Sequence, residues 1–331
     1  MSDFDYFESA EIILNLSEIE ALLMLKKPTL FRIKGKDSEK ALLVSCLLHG
    51  CEPCGFRAVL KELNSRQEYP YDWYLFIGNV AAAQIKPYFT CRLVSGGQNY
   101  NRIWISEPKN KDENIANKII EKLNQLPLIA HLDLHSFTAN NTPTHGFVPN
   151  KKPILLGKKL VKNLFYDEMA LGTMVGQTSK FGKSIIVECG TNNSKSADYF
   201  AFSTLQKFFK EFDMKKGKNK LICKKIYTNM INIKIKQNAK IVWSNKNEEI
   251  DVTLRCDVDK FNVKLMSAGE FLGWSKNLDC FIVKDKRGIK NPNDLFVIIN
   301  GKIILKKSVI PNLMTTNEKI TKESGFYFFK P

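Results

Sequence analysis

Three apolar runs in this chain each stop at a residue able to bind a metal or move a proton. Ala41 to Leu48 ends in His49-Gly50-Cys51-Glu52, Leu128 to Leu134 ends in His135, and Lys183 to Val187 ends in Glu188. A neutral imidazole and a carboxylate three residues apart on a tight turn can reach one cation, and zinc accepts both ligand types. The His-x-x-Glu spacing is common by chance. Each residue also has a simpler explanation: a hydrogen-bonded histidine at a strand end, or a glutamate favoured by the dipole at a helix N-terminus. Three such residues at equivalent strand ends are harder to dismiss. Two histidines and a glutamate are the ligand set of many hydrolytic zinc sites, which keep a fourth position for water. Zinc lowers the pKa of that water toward ~7, and a nearby carboxylate can take its proton. Glu188 is the spare carboxylate. Asp133, two residues before His135, is a candidate partner for its ring, although side-chain alternation along a strand accounts for that spacing equally well.

The element that must position the first pair is ALLVSCLLHGCEPCG, Ala41 to Gly55. Seven of its first eight residues are apolar, Ser45 being the exception, and no charge occurs before Glu52. This reads as a fully buried strand, expected to be parallel. It runs into a loop and then a helix from Pro53 to about Asn64. In open α/β sheets ligands bind outside the carboxyl ends of the strands, which is where His49 and Glu52 fall. Upstream, Ser17 and Glu20 form a capping box, and Thr29 to Ile33 is expected as an edge strand. Trp73 to Asn79 is a further strand. The segment from Val80 to Trp104 has no sustained period, and its aromatic residues argue against disorder; such a segment inside a compact domain is usually functional. Arg92 and the pair Asn101-Arg102 stand out there, because only seven of the 50 basic residues are arginines. Ordinary surface charge explains them equally well. Helical spacing is found over Asn114 to Leu126, Lys152 to Phe165 and Ser196 to Phe212, with a short strand expected over Met169 to Val175. Alternating strands and helices imply an α/β fold with helices on both faces of the sheet.

After Met214 the pattern changes. A polar, lysine-rich segment over residues 215–220 reads as a linker, and short alternating runs follow. Phe296 to Lys306 places Asn300-Gly301 between two apolar runs, a type I′ hairpin signal. The expected division is therefore a catalytic domain over residues 1–213 and a smaller β-rich domain over 214–331, which the length of 331 residues allows.

Composition narrows the function classes. The formal charge is +16, of which +13 falls between Met214 and Pro331. Nearly all of that excess is lysine, spread rather than clustered, which reads as a solvated surface rather than a nucleic-acid face. No apolar run approaches the ~20 residues that cross a bilayer. The acidic opening MSDFDYFESAE is unlike a signal or transit peptide, so the expected compartment is the cytoplasm. The eight cysteines are expected as free thiols there. Cys51 and Cys54 form a C-x-x-C at a helix start, where a redox dithiol would sit. His131 is expected as a satisfied core histidine, His145 at the surface, and Cys51 and Cys189 as packing residues.

In order, HGCEP, NYNRIW, DLHS and VECG resemble the succinylglutamate desuccinylase/aspartoacylase family of zinc carboxypeptidase-like hydrolases. The resemblance covers roughly residues 41–190 and implies a mixed sheet flanked by helices with a β-rich C-terminal domain. It implies that His49, Glu52 and His135 bind one Zn²⁺ per chain and that Glu188 acts as general base and then acid. Arg92 would polarise the scissile carbonyl, and Asn101 with Arg102 would hold a substrate carboxylate. The implied reaction is hydrolysis of the amide bond of a small N-acyl amino acid by zinc-activated water. Gln98-Asn99-Tyr100 departs from the Asp-Leu that commonly precedes Asn-Arg in that family. Three alternatives stand beside it: a metallocarboxypeptidase acting on peptides, a thiol–disulfide oxidoreductase using Cys51 and Cys54, and an inactive anion-binding module. No membrane partner is expected, and self-association into a homo-oligomer is compatible with the sequence.

Overall fold

The computed structural model describes residues 3–105, 107–139, 143–166 and 172–331. Its first eight strands are β1 (Asp5–Phe7), β2 (Thr29–Ile33), β3 (Asp37–Cys46), β4 (Tyr71–Ile77), β5 (Leu128–Phe137), β6 (His145–Val148), β7 (Asn163–Tyr166) and β8 (Lys183–Thr191). The helices among them are α1 (Glu18–Met24), α2 (Cys54–Asn64), α3 (Val80–Ala83), α4 (Lys111–Asn124), α5 (Ile154–Leu160), α6 (Met174–Thr178) and α7 (Lys195–Phe212). The chain forms two compact units: Met1–Ser136, Thr144–Leu164 and Ala170–Lys225 in the first, and Phe137–Pro143, Phe165–Met169 and Ile226–Pro331 in the second.

In the first unit the sheet order is β1-β2-β4-β3-β5-β8-β6. The Ala41 run lies in β3, which pairs in parallel with both β4 and β5, as its unbroken apolar character requires. The strands that carry the candidate residues are consecutive in this order: His49 follows the end of β3, whereas His135 and Glu188 lie within β5 and β8, which run on to Phe137 and Thr191 rather than stopping there. Thr29–Ile33 is not an edge. It pairs with β4 on one side and with β1 on the other, and β1, only three residues long, takes the edge.

Helices cover both faces. Ile115, Ile119 and Leu123, four residues apart on α4, pack with Leu43, Tyr74 and Phe76. On the opposite face Trp73 meets Phe209 of α7 at 5.0 Å between ring centroids. The capping box at Ser17 and Glu20 is present. The expected helix over Lys152–Phe165 is shorter than its spacing suggested. It stops at Leu160, and Leu164 folds back against Gly157, where an added Cβ would lie 2.7 Å from the leucine. Of the strand expected over Met169–Val175, residues 169–171 lie outside the described residues. Thr173 instead accepts a hydrogen bond from the Gly176 amide and caps α6.

The expected boundary at 213/214 falls in the segment between α7 and the next strand, where the chain makes no regular structure. Beyond it, β9 (Lys225–Ile235) pairs antiparallel with the strand Phe281–Asp285, and a second sheet holds five short strands. Two of those, Phe296–Ile299 and Lys302–Leu305, form the expected hairpin. Asn300 and Gly301 both adopt positive φ, 51° and 74°, as a type I′ turn demands. Among the described residues no helix is long and apolar enough to cross a membrane.

Candidate active site

The site begins where β3 ends. Leu47 turns the chain with φ 54°, and the Glu52 amide donates to the His49 carbonyl at 3.1 Å, closing a tight turn before α2. Gly50 sits so close to the irregular segment that follows β4 that a Cβ would lie 2.5 Å from the Ala83 nitrogen and 2.6 Å from the Cys91 carbonyl. Only glycine allows the turn to press against the chain that carries Arg92, and the Gly50 amide donates to the Arg92 carbonyl at 3.0 Å. The turn and the irregular segment are thus held together by backbone.

His49, Glu52 and His135 come together in a buried group, their ligand atoms all within 4.8 Å of one another. Nδ1 of His49 lies 2.8 Å from Oε1 of Glu52, and Nδ1 of His135 lies 2.8 Å from Oε2 of the same carboxylate. The His49 nitrogen is at ion-pair distance yet lacks hydrogen-bond alignment with that oxygen. Two ring nitrogens therefore flank both oxygens of one carboxylate, an arrangement suited to a shared cation. A His₂Glu donor set of this kind is the type that holds zinc in hydrolytic sites. The residues fit the metal.

Each of the two histidine rings has a partner at its other nitrogen. Nε2 of His135 faces Oδ2 of Asp133 at 3.0 Å, so Asp133 takes the orienting place considered for it. Asp133 in turn accepts from the Ser45 hydroxyl at 2.5 Å, Ser45 contacts Nε2 of His131 at 2.7 Å, and Nδ1 of His131 contacts Thr178 at 2.8 Å. His131 is thus the satisfied core histidine expected, and burial pushes its pKa down to about 4. Ser45, the single polar residue in the β3 run, was the signal for this chain of contacts. For His49 the partner is Asn99, whose Oδ1 lies 3.0 Å from Nε2. An imidazole that offers Nδ1 to a metal carries its hydrogen on Nε2 and can donate it there. In the sequence Asn99 stands only as part of the Gln98-Asn99-Tyr100 departure; its contact with His49 depends on a fold-back of 50 residues that no local pattern announces.

Arg92 reaches the same carboxylate. Its guanidinium donates to Oε1 of Glu52 at 2.8 Å, and a second nitrogen lies 2.9 Å from Nε2 of His49, where it can donate only to the tautomer that carries its hydrogen on Nδ1. With Nδ1 on a metal, Nε2 donates to Asn99 and this Arg92 contact is no hydrogen bond. Asn101 is buried with its Oδ1 unbonded, while its backbone N–H donates to Oδ1 of Asn99 at 2.9 Å. Arg102 is exposed and donates to the Asn101 carbonyl at 2.6 Å. Glu188 is buried, its Oε2 makes no hydrogen bond, and burial raises its pKa to about 7, with the Glu52 and Asp133 charges adding and the His135 and Arg92 charges opposing. Burial also holds His49 down, to about 4, helped by Arg92. His135 goes the other way. Burial opposes its charge, but Asp133 and Glu52 hold it well above the ordinary imidazole range.

His145 is not on the surface. It is fully buried in β6 and stands directly across from Glu188 in the antiparallel β6–β8 pair. Directly opposed residues share a face of the sheet, so the side chain next to the Glu188 carboxylate is an imidazole. Cys51 and Cys189 are both buried; Sγ of Cys51 accepts from the Asn192 side chain at 3.5 Å. Cys54 is wholly buried with its Sγ on the His135 carbonyl at 3.6 Å, a poor setting for a dithiol that must meet a substrate.

No protein-family model matches the sequence, and no curated protein sequence is significantly similar. Solved structures are similar in fold. Succinylglutamate desuccinylase from Vibrio cholerae superposes with a TM-score of 0.59 at 12% identity, over 96% of this chain and 95% of that one. Succinylglutamate desuccinylase from Vibrio parahaemolyticus gives 0.58 at 14% identity, over 96% and 99%. Murine aminoacylase 3 gives 0.53 at 14% identity, over 89% and 96%. The protein has the succinylglutamate desuccinylase/aspartoacylase fold, an α/β mixed sheet flanked by helices with a β-rich C-terminal region.

Proposed function

We propose that the chain is a zinc-dependent amidohydrolase that cleaves the amide bond of an N-acyl amino acid or a similar small carboxylate-bearing amide. The observation that carries this reading is the convergence of His49 Nδ1 and His135 Nδ1 on the two oxygens of Glu52, beside a buried carboxylate, Glu188, that none of them uses. The shared fold with proteins described as succinylglutamate desuccinylases and an aminoacylase supports the same choice of substrate class.

His49, Glu52 and His135 would hold the metal. When bound, zinc supplies a Lewis acid for the carbonyl and lowers the pKa of water toward ~7. Glu188, poised near about 7, takes a proton from the attacking water and returns it to the departing nitrogen. Arg92 presents a guanidinium at the same edge and stabilises negative charge developing on the carbonyl oxygen. Asn101 and Arg102, next to each other in the irregular segment, grip the substrate carboxylate, a task that suits a guanidinium fork. His145, directly across from Glu188, borders the Glu188 carboxylate on the same face of the sheet.

The test is metal content of the purified protein together with release of primary amine from a panel of N-acyl amino acids. Formyl, acetyl and succinyl groups on acidic, neutral and basic amino acids span the class. Stoichiometric zinc with turnover of one subset is the expected result. A protein that takes up no zinc with His49 and His135 intact rejects the reading, and zinc with turnover of peptides alone replaces it with a carboxypeptidase.

A further inference from the structure

At the opposite edge of the same sheet, where β3, β4, β5 and β8 begin, the first unit holds a cavity of about 760 Å³. That is within the size range of small-molecule sites. It is remote from the metal-competent group: from Leu128 in its wall to His135 is seven residues of strand, or about 23 Å at the usual rise. Two chemistries meet there. The wall is apolar, formed by Leu128 and Phe181 with Phe212 at the end of α7, and its rim carries Leu155 and Met214 at 58% and 83% exposure. Large apolar side chains this exposed beside a concavity mark a binding surface more often than scattered ones do.

The charge on that rim has one sign. Lys40, Lys152, Lys183 and Lys218 all line the cavity, and Glu211 is the one carboxylate among the described lining residues. Glu211 is already engaged by Lys159, so it does not offset the four lysines. Two of the four are held in place. The Lys218 ammonium donates to the Glu211 carbonyl at 2.6 Å, and the Lys40 ammonium stands 5.3 Å from the centre of the Tyr71 ring. The stems of such lysines lie along apolar surface while their heads stay at its edge.

We propose that this cavity binds a soluble amphipathic carboxylate, its head group among the four lysines and its apolar chain on the Leu128, Phe181 and Phe212 wall. Neither half of the surface alone calls for such a ligand. Lysines by themselves are a solvated rim, and an apolar hollow by itself would accept an uncharged molecule as readily. A concave pocket with both selects the monomeric amphiphile over a flat membrane surface.

The experiment is calorimetric titration of the intact, metal-loaded protein with decanoate below its micellar concentration, with decanol and acetate as comparisons. Decanoate should bind at one site, about tenfold or more tighter than either comparison. Lys183→Glu and Leu155→Glu should each weaken it by about tenfold or more, since each removes one of the two recognised features. Both side chains are solvent-exposed, so an unchanged thermal midpoint confirms that the variants fold. Undiminished binding to both variants overturns the proposal and moves the carboxylate elsewhere, for instance to the metal-competent edge. Equal affinity for decanol, or no decanoate binding, overturns it as well. Binding to phosphatidylglycerol vesicles without binding to monomeric decanoate assigns the surface to a membrane instead and also overturns it.

Discussion

At the scale of single residues the reading depends on how differently the buried carboxylates are treated. Glu52 is pulled well below the carboxylate range, for although burial opposes its charge, His49 and His135 flank it; Glu188 is pushed up to about 7 because burial finds no hydrogen bond to offset it at Oε2. A ligand must stay ionised and a proton carrier must change state, so the two environments suit the two roles proposed for these carboxylates. Glu188→Gln should therefore keep stoichiometric metal while kcat falls by about 10²–10⁴, the usual contribution of a general base. Loss of metal in that variant would make Glu188 a ligand or a structural residue. As the base must be deprotonated to act, kcat/KM of the wild type should rise with pH through about 7 and flatten above it; a profile already flat from pH 5 to 8 contradicts the assignment. Asp133→Asn should weaken metal affinity by about 10–100-fold, because the carboxylate fixes the ring orientation of His135.

At the scale of elements the question is how α2 comes to lie so near the strands whose ends it serves. Gly55 answers it: a Cβ there would stand 2.8 Å from the β-carbons of both Cys46 and Leu134. Gly55→Ala should lower stability in urea by about 1–3 kcal/mol, the range for overpacked cores, and shift the Glu52 turn enough to weaken metal binding. Unchanged denaturation and metal affinity would mean that the helix can retreat freely. The same helix carries Glu62, raised by burial and only partly offset by the Tyr69 hydroxyl, which donates to it at 3.1 Å. A carboxyl whose folded pKa lies above its unfolded value of 4.5 binds more protons in the folded state. Stability from this group is full below 4.5 and declines as pH rises through the folded value. Glu62→Gln should abolish that part of the decline in denaturation series across this window. Much of this architecture could be read from the chain alone. β3, β5 and β8 are legible because strands buried on both faces are continuous apolar runs, and the candidate residues come with them, His49 just past β3 and His135 and Glu188 within the last residues of β5 and β8 that the apolar runs do not mark. Asn99, His145 and the division of the expected helix after Leu160 were not visible. Each depends on what packs opposite, and a periodicity reports only which faces are apolar.

At the scale of the whole molecule, a bound metal is a ligand of the folded state alone, because His49, Glu52 and His135 converge only when β3 and β5 lie side by side. All three belong to the first compact unit. In the unfolded chain His135 is 83 residues from Glu52, so the metal-binding free energy is added to folding. At a free metal concentration 1,000-fold above Kd the increment is about 4 kcal/mol. For a unit of this size a kilocalorie moves the thermal midpoint by roughly 2–4 °C, so chelation should lower it by roughly 8–16 °C. His135→Ala, which removes one of three ligands, should erase most of the difference between metal-loaded and chelated protein. That variant separates the effect from nonspecific binding to a chain with a net charge of +16, for which cations have little general affinity. Calorimetry on both forms decides it: a midpoint indifferent to chelator in the wild type means that the His₂Glu group does not hold a metal tightly enough to stabilise the fold, and the proposed hydrolytic role falls with it.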